Sequence, residues 1–254
     1  MSYSASPGIA DPIAIGAVSG RAYRSVLENW RLVARFTWLP LAFILGAQLI
    51  ALIVGGRGFS GRILSSMIGI IGFLLFGTTF AVRWSRFILL GERHGSELHP
   101  PGWGSLMVVT AKICLLILAA TAVVFWIVAL VPRPLKIPIW VIGAVGIVAL
   151  SPRLFLAFPS AAIERPLTLR AAWAAVGGDY ARFLACVLIC YLPLAIITGL
   201  AGRMAVATLS LTAWIGIEVV RLAATFIDIA VLYAMLAEVY RGLSSPGTIG
   251  DAAG

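Results

Sequence analysis

The chain has 254 residues, of which 61% are hydrophobic and only 11% are charged. A water-soluble domain needs far more charge to cover its surface, so the composition excludes an ordinary soluble domain and favours an integral membrane protein. The net charge is +9, but the basic residues are spread over several loops instead of forming a run. That distribution favours a role in membrane orientation over nucleic-acid binding.

The two ends of the chain are predicted to be tails. The first residues, MSYSASPGIADPIAIG, lack the basic start, apolar core and small-residue cleavage site of a signal peptide, so we predict no cleaved leader. We predict a disordered tail over 1–18 and a flexible tail over 242–254. A single transmembrane domain, 19–241, lies between them.

An amphipathic segment over 19–35 precedes the first apolar run. Its apolar face carries Tyr23, Val26, Leu27, Trp30 and Val33. Its polar face carries Arg24, Glu28, Arg31 and Arg35. With Ser19 as N-cap, this pattern predicts a helix lying flat on the anionic cytoplasmic leaflet, either as a lipid-binding element or as a plain anchor. A shorter segment from Thr168 through Trp173 and Val176 leads into a later span in the same way.

Six apolar runs are each about as long as a bilayer crossing, since roughly 20 helical residues span the hydrocarbon. We predict an all-α polytopic membrane protein with six transmembrane helices plus cytoplasmic-side amphipathic helices. The predicted spans are 36–55, 63–90, 105–130, 137–158, 183–202 and 209–236. Several tryptophans fall near the predicted span ends, as expected for aromatic residues at the headgroup level.

The distribution of basic residues in the loops predicts the orientation. Twelve basic residues lie in one set of loops, namely Arg21, Arg24, Arg31, Arg35, Arg83, Arg86, Arg93, Arg153, Arg165, Arg170, Arg182 and Arg241. Five lie in the other set, namely Arg57, Arg62, Arg133, Lys136 and Arg203. The excess predicts that both termini are cytoplasmic.

A polar stripe runs through the last span. Glu218, Arg221, Thr225 and Asp228 follow one another at intervals of three and four residues and therefore share one helix face. Glu218 can pair with Arg221 within the helix. We predict that Asp228 pairs with Lys112 of the third span, because the two lie at matching depths. These pairs either fix helix register only, with Lys112 reaching the headgroups, or line a path for transport or a ligand.

Other arginines lie at predicted span ends. Arg83 and Arg86, in the stretch RWSRFILLGE, share a face and either hold lipid phosphates or only fix orientation. Ser151-Pro152 predicts a kink in the fourth span, and Arg153 is expected to reach the cytoplasmic headgroups.

No cofactor or metal site is predicted. Cys186 and Cys190 share a helix face, but we interpret them as small buried residues. The loop with Glu92, His94, Glu97 and His99 has no metal-binding spacing. No nucleophile elbow, phosphate loop or zinc-protease motif occurs, and we predict that the protein is not an enzyme.

The stretches RWSRFILLGE and AAIERPLTLRAAWAAVGGDYARF resemble a loose bacterial group of six-span inner-membrane proteins. That group includes the membrane domains attached to some glycerophosphodiester phosphodiesterases. The resemblance covers most of the chain in layout and implies a cytoplasmic-side amphipathic segment before a transmembrane hairpin. It implies no activity for the membrane part, and the soluble phosphodiesterase domain has no counterpart here.

The sequence leaves three functional hypotheses. The first is a bacterial inner-membrane accessory or scaffold module that binds membrane lipids, another membrane protein or a further copy of itself. Its headgroup-binding residues would be Arg24, Arg31, Arg35, Arg83, Arg86 and Arg153. The alternative is a small transporter or permease subunit that uses the polar stripe and Lys112. The third is an intramembrane enzyme acting on lipids, with Asp228 or Glu218 as the acid or base.

Overall fold

The computed structural model describes residues 14–55, 67–68, 71–72, 76–92, 100–207 and 210–243. Within these ranges every regular element is helical and no strand occurs, which confirms the all-α prediction there. The helices are α1 (Ile15–Glu28), α2 (Trp30–Gly55), α3 (Thr78–Leu90), α4 (Trp103–Leu130), α5 (Arg133–Leu150), α6 (Ala157–Ala162), α7 (Leu169–Ala175), α8 (Tyr180–Ala207) and α9 (Leu211–Leu243). A 3-10 turn at Ser151–Leu154 joins α5 to α6.

Five stretches of helix in the described residues are long and apolar enough to cross a membrane. They are Trp30–Ala51, Trp103–Leu130, Arg133–Ala162, Tyr180–Ala205 and Thr212–Leu243. These stretches correspond to five of the six predicted spans. The predicted span 63–90 is described only in part, since residues 63–66, 69–70 and 73–75 lie outside the described ranges and α3 covers its last 13 residues.

The segment before the first span differs from its prediction. The predicted helix over 19–35 is divided at Asn29, where α1 ends and α2 begins one residue later. The helix also begins at Ile15, so Ser19 is not an N-cap but a buried residue inside α1. The predicted disordered tail is therefore wrong from Ile15 onward, and its residues 1–13 lie outside the described ranges.

α1 is packed against protein over one face. It contacts α8 and α9, and its buried side chains are Val18, Ser19, Ala22 and Val26. Of the predicted apolar face, Leu27 and Trp30 remain exposed. The apolar face is divided because α1 ends at Asn29 and Trp30 belongs to α2.

α9 is the centre of the bundle and packs against α8, α1, α3, α2 and α6. Trp84 of α3 is fully buried, and its indole Nε1 donates a hydrogen bond of 2.7 Å to the Ala230 carbonyl of α9. The rings of Phe80 and Phe226 meet edge to face with centroids 6.0 Å apart. These contacts join α3 to α9 through aromatic side chains that bury large apolar areas.

The core lies at one end of the bundle. In α4 the buried residues Leu106, Val109 and Ile113 all fall near the start of the helix, whereas Leu118 and Phe125 further along are exposed. We call this end, where α3 and α9 finish and α4 and α8 begin, the arginine-rich end. Exposed apolar side chains at the other end suit a bilayer, because lipid tails solvate them as well as a protein core does.

Where a kink is predicted in the fourth span, the helix changes type. The α-helix ends at Leu150, and residues Ser151–Leu154 form the 3-10 turn before α6 begins at Ala157. Pro152 has no backbone N–H and cannot continue the α-helical hydrogen bonds, which explains the tighter turn at this point. The turn brings Arg153 towards α7 and the start of α8.

Candidate functional site

Three residues of the polar stripe of α9 bond to one another. Arg221 donates from Nε to Glu218 Oε2 at 2.7 Å, and its Nη2 lies 2.6 Å from the same oxygen. The Thr225 hydroxyl donates to the Arg221 carbonyl at 2.8 Å. The predicted Glu218–Arg221 pair is therefore confirmed, and one turn of helix suffices to form it.

The predicted pair between Lys112 and Asp228 is wrong. α4 packs against α5, α6 and α3 and not closely against α9. Lys112 is exposed beside the buried Ile113, whereas Asp228 is buried on α9. Neither residue forms an ion pair with any other described residue. Equal depth was the basis of the prediction, and depth does not determine which helices are neighbours.

Asp228 instead faces side chains from α1 and α8. The Tyr23 phenol and the Cys190 thiol lie close enough to its carboxyl for an electrostatic interaction. Ser19 lies beside the thiols of Cys186 and Cys190. We call these five residues, Ser19, Tyr23, Cys186, Cys190 and Asp228, the buried polar junction.

Two oxygens of the buried polar junction have no hydrogen-bond partner within the described ranges. Asp228 is only 6% exposed and Ser19 only 5%. Asp228 Oδ1 and Ser19 Oγ each make no hydrogen bond of ordinary geometry with the described residues. A buried polar atom without a partner costs desolvation free energy without a compensating hydrogen bond, so each such atom calls for an explanation.

Tyr23 docks where a proline has freed a carbonyl. Its hydroxyl donates to the carbonyl oxygens of Ile189 and Cys190 at 3.1 and 3.2 Å. The residue four positions after Ile189 is Pro193, inside α8, and it has no N–H to bond that carbonyl. Burial raises the pKa of the Tyr23 phenol, and the nearby Cys190 and Asp228 raise it further. Tyr23 therefore remains a neutral hydrogen-bond donor.

Arg86 does not suit the predicted role in binding lipid phosphates, because its side chain is buried and engaged. Its Nε lies 2.8 Å from Glu92 Oε2 and its Nη2 lies 3.2 Å from Glu92 Oε1. Its Nη1 donates to the Ala162 carbonyl at 3.3 Å. A bidentate pair of this kind fixes the orientation of the guanidinium. Arg86 thereby joins the end of α3 to the end of α6.

Arg83 and Arg153 stack on aromatic rings. The Arg83 guanidinium lies 5.6 Å from the centroid of Phe36. The Arg153 guanidinium lies 4.7 Å from the Trp173 centroid and 4.2 Å from that of Tyr180. Such stacking holds each cation in place over a ring face. For Arg153 it also joins the 3-10 turn to α7 and α8.

The other residues that are predicted to bind lipid headgroups have exposed side chains. Arg24, Arg31 and Arg35 are exposed, and none of them pairs with a carboxylate of the described residues. The Arg31 guanidinium lies 5.6 Å from the centroid of Trp30, which is 60% exposed. These residues form an arginine and tryptophan surface around the turn at Asn29.

Sequence analysis missed four of the five residues of the buried polar junction as partners of Asp228. Ser19 and Tyr23 are four residues apart, as are Cys186 and Cys190, so each pair shares a helix face. The spacing was visible in the sequence. The docking of α1 into the groove between α8 and α9 was not, and only that docking brings the pairs to Asp228.

In the described part of the chain, no group of three or more His, Cys, Asp and Glu residues is arranged to hold a metal ion. His94, Glu97 and His99 of the loop considered above lie outside it. Comparison of the chain with protein-family models, with curated proteins and with solved structures finds no match. The resemblance to the six-span inner-membrane group stays a prediction.

Proposed function

We propose that the protein is a multi-pass membrane protein without catalysis of its own, an accessory module that binds anionic lipid headgroups at its arginine-rich end. In this proposal the chain has six spans, including 63–90, and lies in a bacterial inner membrane with both termini cytoplasmic. α1 is then an amphipathic helix with one face on the bundle and the other towards the headgroups. The observation that carries the proposal is the set Arg24, Arg31 and Arg35, which is exposed and has no carboxylate partner in the part of the chain that the structure describes.

The neighbourhood of these arginines supports a lipid ligand. Trp30 and Trp38 are 60% and 62% exposed on the same helix as Arg31 and Arg35. Amphipathic rings concentrate at the headgroup level, where one side is apolar and the other wet. Arginines at the same level meet lipid phosphates, which they bind with two parallel hydrogen bonds. The surface therefore combines both features that an anionic membrane interface selects.

The length of α9 supports placing the arginine-rich end in the headgroup region. The helix has 33 residues, or about 50 Å at 1.5 Å per residue, whereas the hydrocarbon layer is about 30 Å thick. Part of α9 must tilt or project beyond the hydrocarbon. At its end, Glu238 pairs with Arg21 at 2.9 Å and with Arg241 at 2.8 Å. A cluster of charged pairs fits the headgroup region better than the hydrocarbon.

The test is native mass spectrometry of the protein released from nanodiscs that contain phosphatidylglycerol and phosphatidylcholine. The triple variant R24Q/R31Q/R35Q should lose its preference for phosphatidylglycerol. Each arginine near an anionic surface contributes about 1 kcal/mol, so the loss should be about a hundredfold in the lipid exchange constant. A wild-type preference in this variant would contradict the proposal.

The matched control is R133Q/K136Q/R203Q. It removes three basic residues near the start of α5 and the end of α8, which lie away from the arginine-rich end. It removes the same formal charge, yet it should retain the preference of the wild type for anionic lipid. Equal losses in both triple variants would show that net charge, and not the surface around Asn29, determines lipid binding.

A second candidate function, a small transporter or permease subunit, retains one supporting observation. Asp228 is buried with an unpartnered oxygen, and ionisable residues inside membrane bundles commonly serve ion or proton pathways. In proteoliposomes, Asp228→Asn should abolish flux of the transported solute while the protein still folds. An accessory module would show no flux in either form.

A further inference from the structure

The buried polar junction contains an acid, Asp228, that has no cationic partner among the described residues. Asp228 is 6% exposed, and no Lys, Arg or His among the described residues pairs with it. An ionised carboxylate in such a place has little water and, among the described residues, no counter-charge to stabilise it. A bound proton removes the charge and provides a hydrogen-bond donor instead.

The titratable groups around Asp228 do not change this conclusion. From α1 the facing group is Tyr23, and from α8 it is Cys190. The other helices packed against α9 are α2, α3 and α6, and none of their described residues forms an ion pair or hydrogen bond with Asp228. Neither a phenol nor a thiol carries a positive charge in any protonation state, so neither facing group can act as a counter-charge to an ionised Asp228.

α1 provides the cover of the site. It contributes Ser19 and Tyr23 to the junction, and two polar bonds supplement the packing of its buried apolar side chains. Arg21 donates from Nε to Glu238 Oε2 at 2.9 Å, and Tyr23 donates to the carbonyl that Pro193 leaves free. The first bond is exposed and the second is a neutral hydrogen bond, so these two bonds add modestly to the apolar packing. Movement of α1 away from α8 and α9 would open Asp228 to water or headgroups.

We propose that Asp228 is a proton-binding site of the bundle and that α1 covers it only while the proton is bound. When Asp228 releases the proton, the carboxylate requires solvation, and α1 undocks to provide it. The ligand is the proton itself, and the coupled element is the helix that bears Ser19 and Tyr23. This inference rests on the junction alone and does not depend on lipid binding by Arg24, Arg31 and Arg35.

The proton can be observed directly by infrared spectroscopy with carboxyl-¹³C aspartate. The chain has four aspartates, Asp11, Asp179, Asp228 and Asp251. The variant D11N/D179N/D251N leaves Asp228 as the only labelled residue and replaces none of the five residues of the junction. At about pH 6, two units above the ordinary aspartate pKa of about 3.9, the label should give the band of a protonated acid. A carboxylate band at that pH would overturn the proposal.

The coupling to α1 can be measured by deuterium exchange in nanodiscs, corrected for the pH dependence of intrinsic amide exchange. Opening of α1 should increase about tenfold per pH unit above the titration of Asp228, which is the limit for release of one proton. The variant D228N should remove this response and keep α1 protected. The matched change D179N, at a half-exposed aspartate paired with Arg182 at 3.8 Å, should retain it. A pH response that persists unchanged in D228N would overturn the coupling.

Discussion

Arg86 shows how a single residue organises the arginine-rich end. Its guanidinium is 9% exposed in a pair with Glu92 and also reaches the end of α6 at Ala162. A buried guanidinium would be costly if it were not surrounded by acceptors, so the pair matters more for fixing geometry than for net stability. The sequence placed Arg86 correctly at the end of a helix, but it did not reveal that the side chain turns inward.

Gly102 lies against the same end of α6, so a substitution there tests how closely this end is packed. Its φ is +85°, and an added Cβ would meet the Ala162 carbonyl oxygen and lie 2.9 Å from the carbonyl carbon. Gly102→Ala should therefore lower the free energy of unfolding by about 1–3 kcal/mol, the usual cost of overpacking, as measured by denaturation in mixed micelles.

The control for this prediction is two residues away. Gly104 is helical, and nothing lies within 4 Å of the Cβ that alanine would add. Gly104→Ala should be neutral or stabilise the protein by about 0.5 kcal/mol, because alanine favours a helix over glycine. Equal effects of both changes would contradict the steric explanation.

At the scale of elements, α1 is where sequence and structure differ most. The amphipathic pattern correctly indicated a helix, but periodicity cannot show what its faces contact. Asn29 ends α1 and donates from its side chain to the Ser25 carbonyl at 2.9 Å. That local cap divides the predicted helix into α1 and the first turn of α2, and α1 then fills the groove between α8 and α9.

The contact of Tyr23 with α8 can be tested by a double-mutant cycle with Pro193. Tyr23→Phe removes the hydroxyl that serves the free Ile189 carbonyl and should cost about 1 kcal/mol of unfolding free energy. Pro193→Ala returns an N–H to α8 that can serve this carbonyl within the helix. In the Pro193→Ala background, Tyr23→Phe should therefore cost clearly less. Additive effects of the two changes would show that the proline does not create the docking point.

For the whole molecule, the division between a packed end and an apolar, open end is the main feature. The buried aromatic contacts lie near Trp84, whereas α4 and α5 present leucine, valine and aromatic side chains outward. In water such surfaces would associate, but in lipid they need no protein partner. The bilayer is thus expected to surround the open end.

A charge placed on the open end tests this arrangement. Leu118, in the middle of α4, is 66% exposed. Leu118→Lys should reduce membrane insertion of α4 by about 2.5–3.5 kcal/mol if the position lies in the hydrocarbon, as measured by the fraction of chains inserted into microsomes. On an exposed surface in water the same change would be nearly neutral.

Leu27 provides the matched control. It is 71% exposed but lies on α1 near Arg24 and Arg31, where the headgroups are expected. Leu27→Lys should leave insertion unchanged, because a lysine at that level reaches the aqueous interface. Normal insertion of both variants would show that α4 is not in the hydrocarbon.

Amino-acid sequence alone was enough to predict the helical class, the location of five long apolar helices and the Glu218–Arg221 pair. All of these follow from local properties, namely run length and spacing along one helix. The packing of the helices was needed to show that Asp228 lies near Tyr23 and Cys190 and not Lys112, and that Arg86 is buried. Those contacts join residues far apart in the chain. They depend on which helices are neighbours, and hydrophobic periodicity carries no information on that choice.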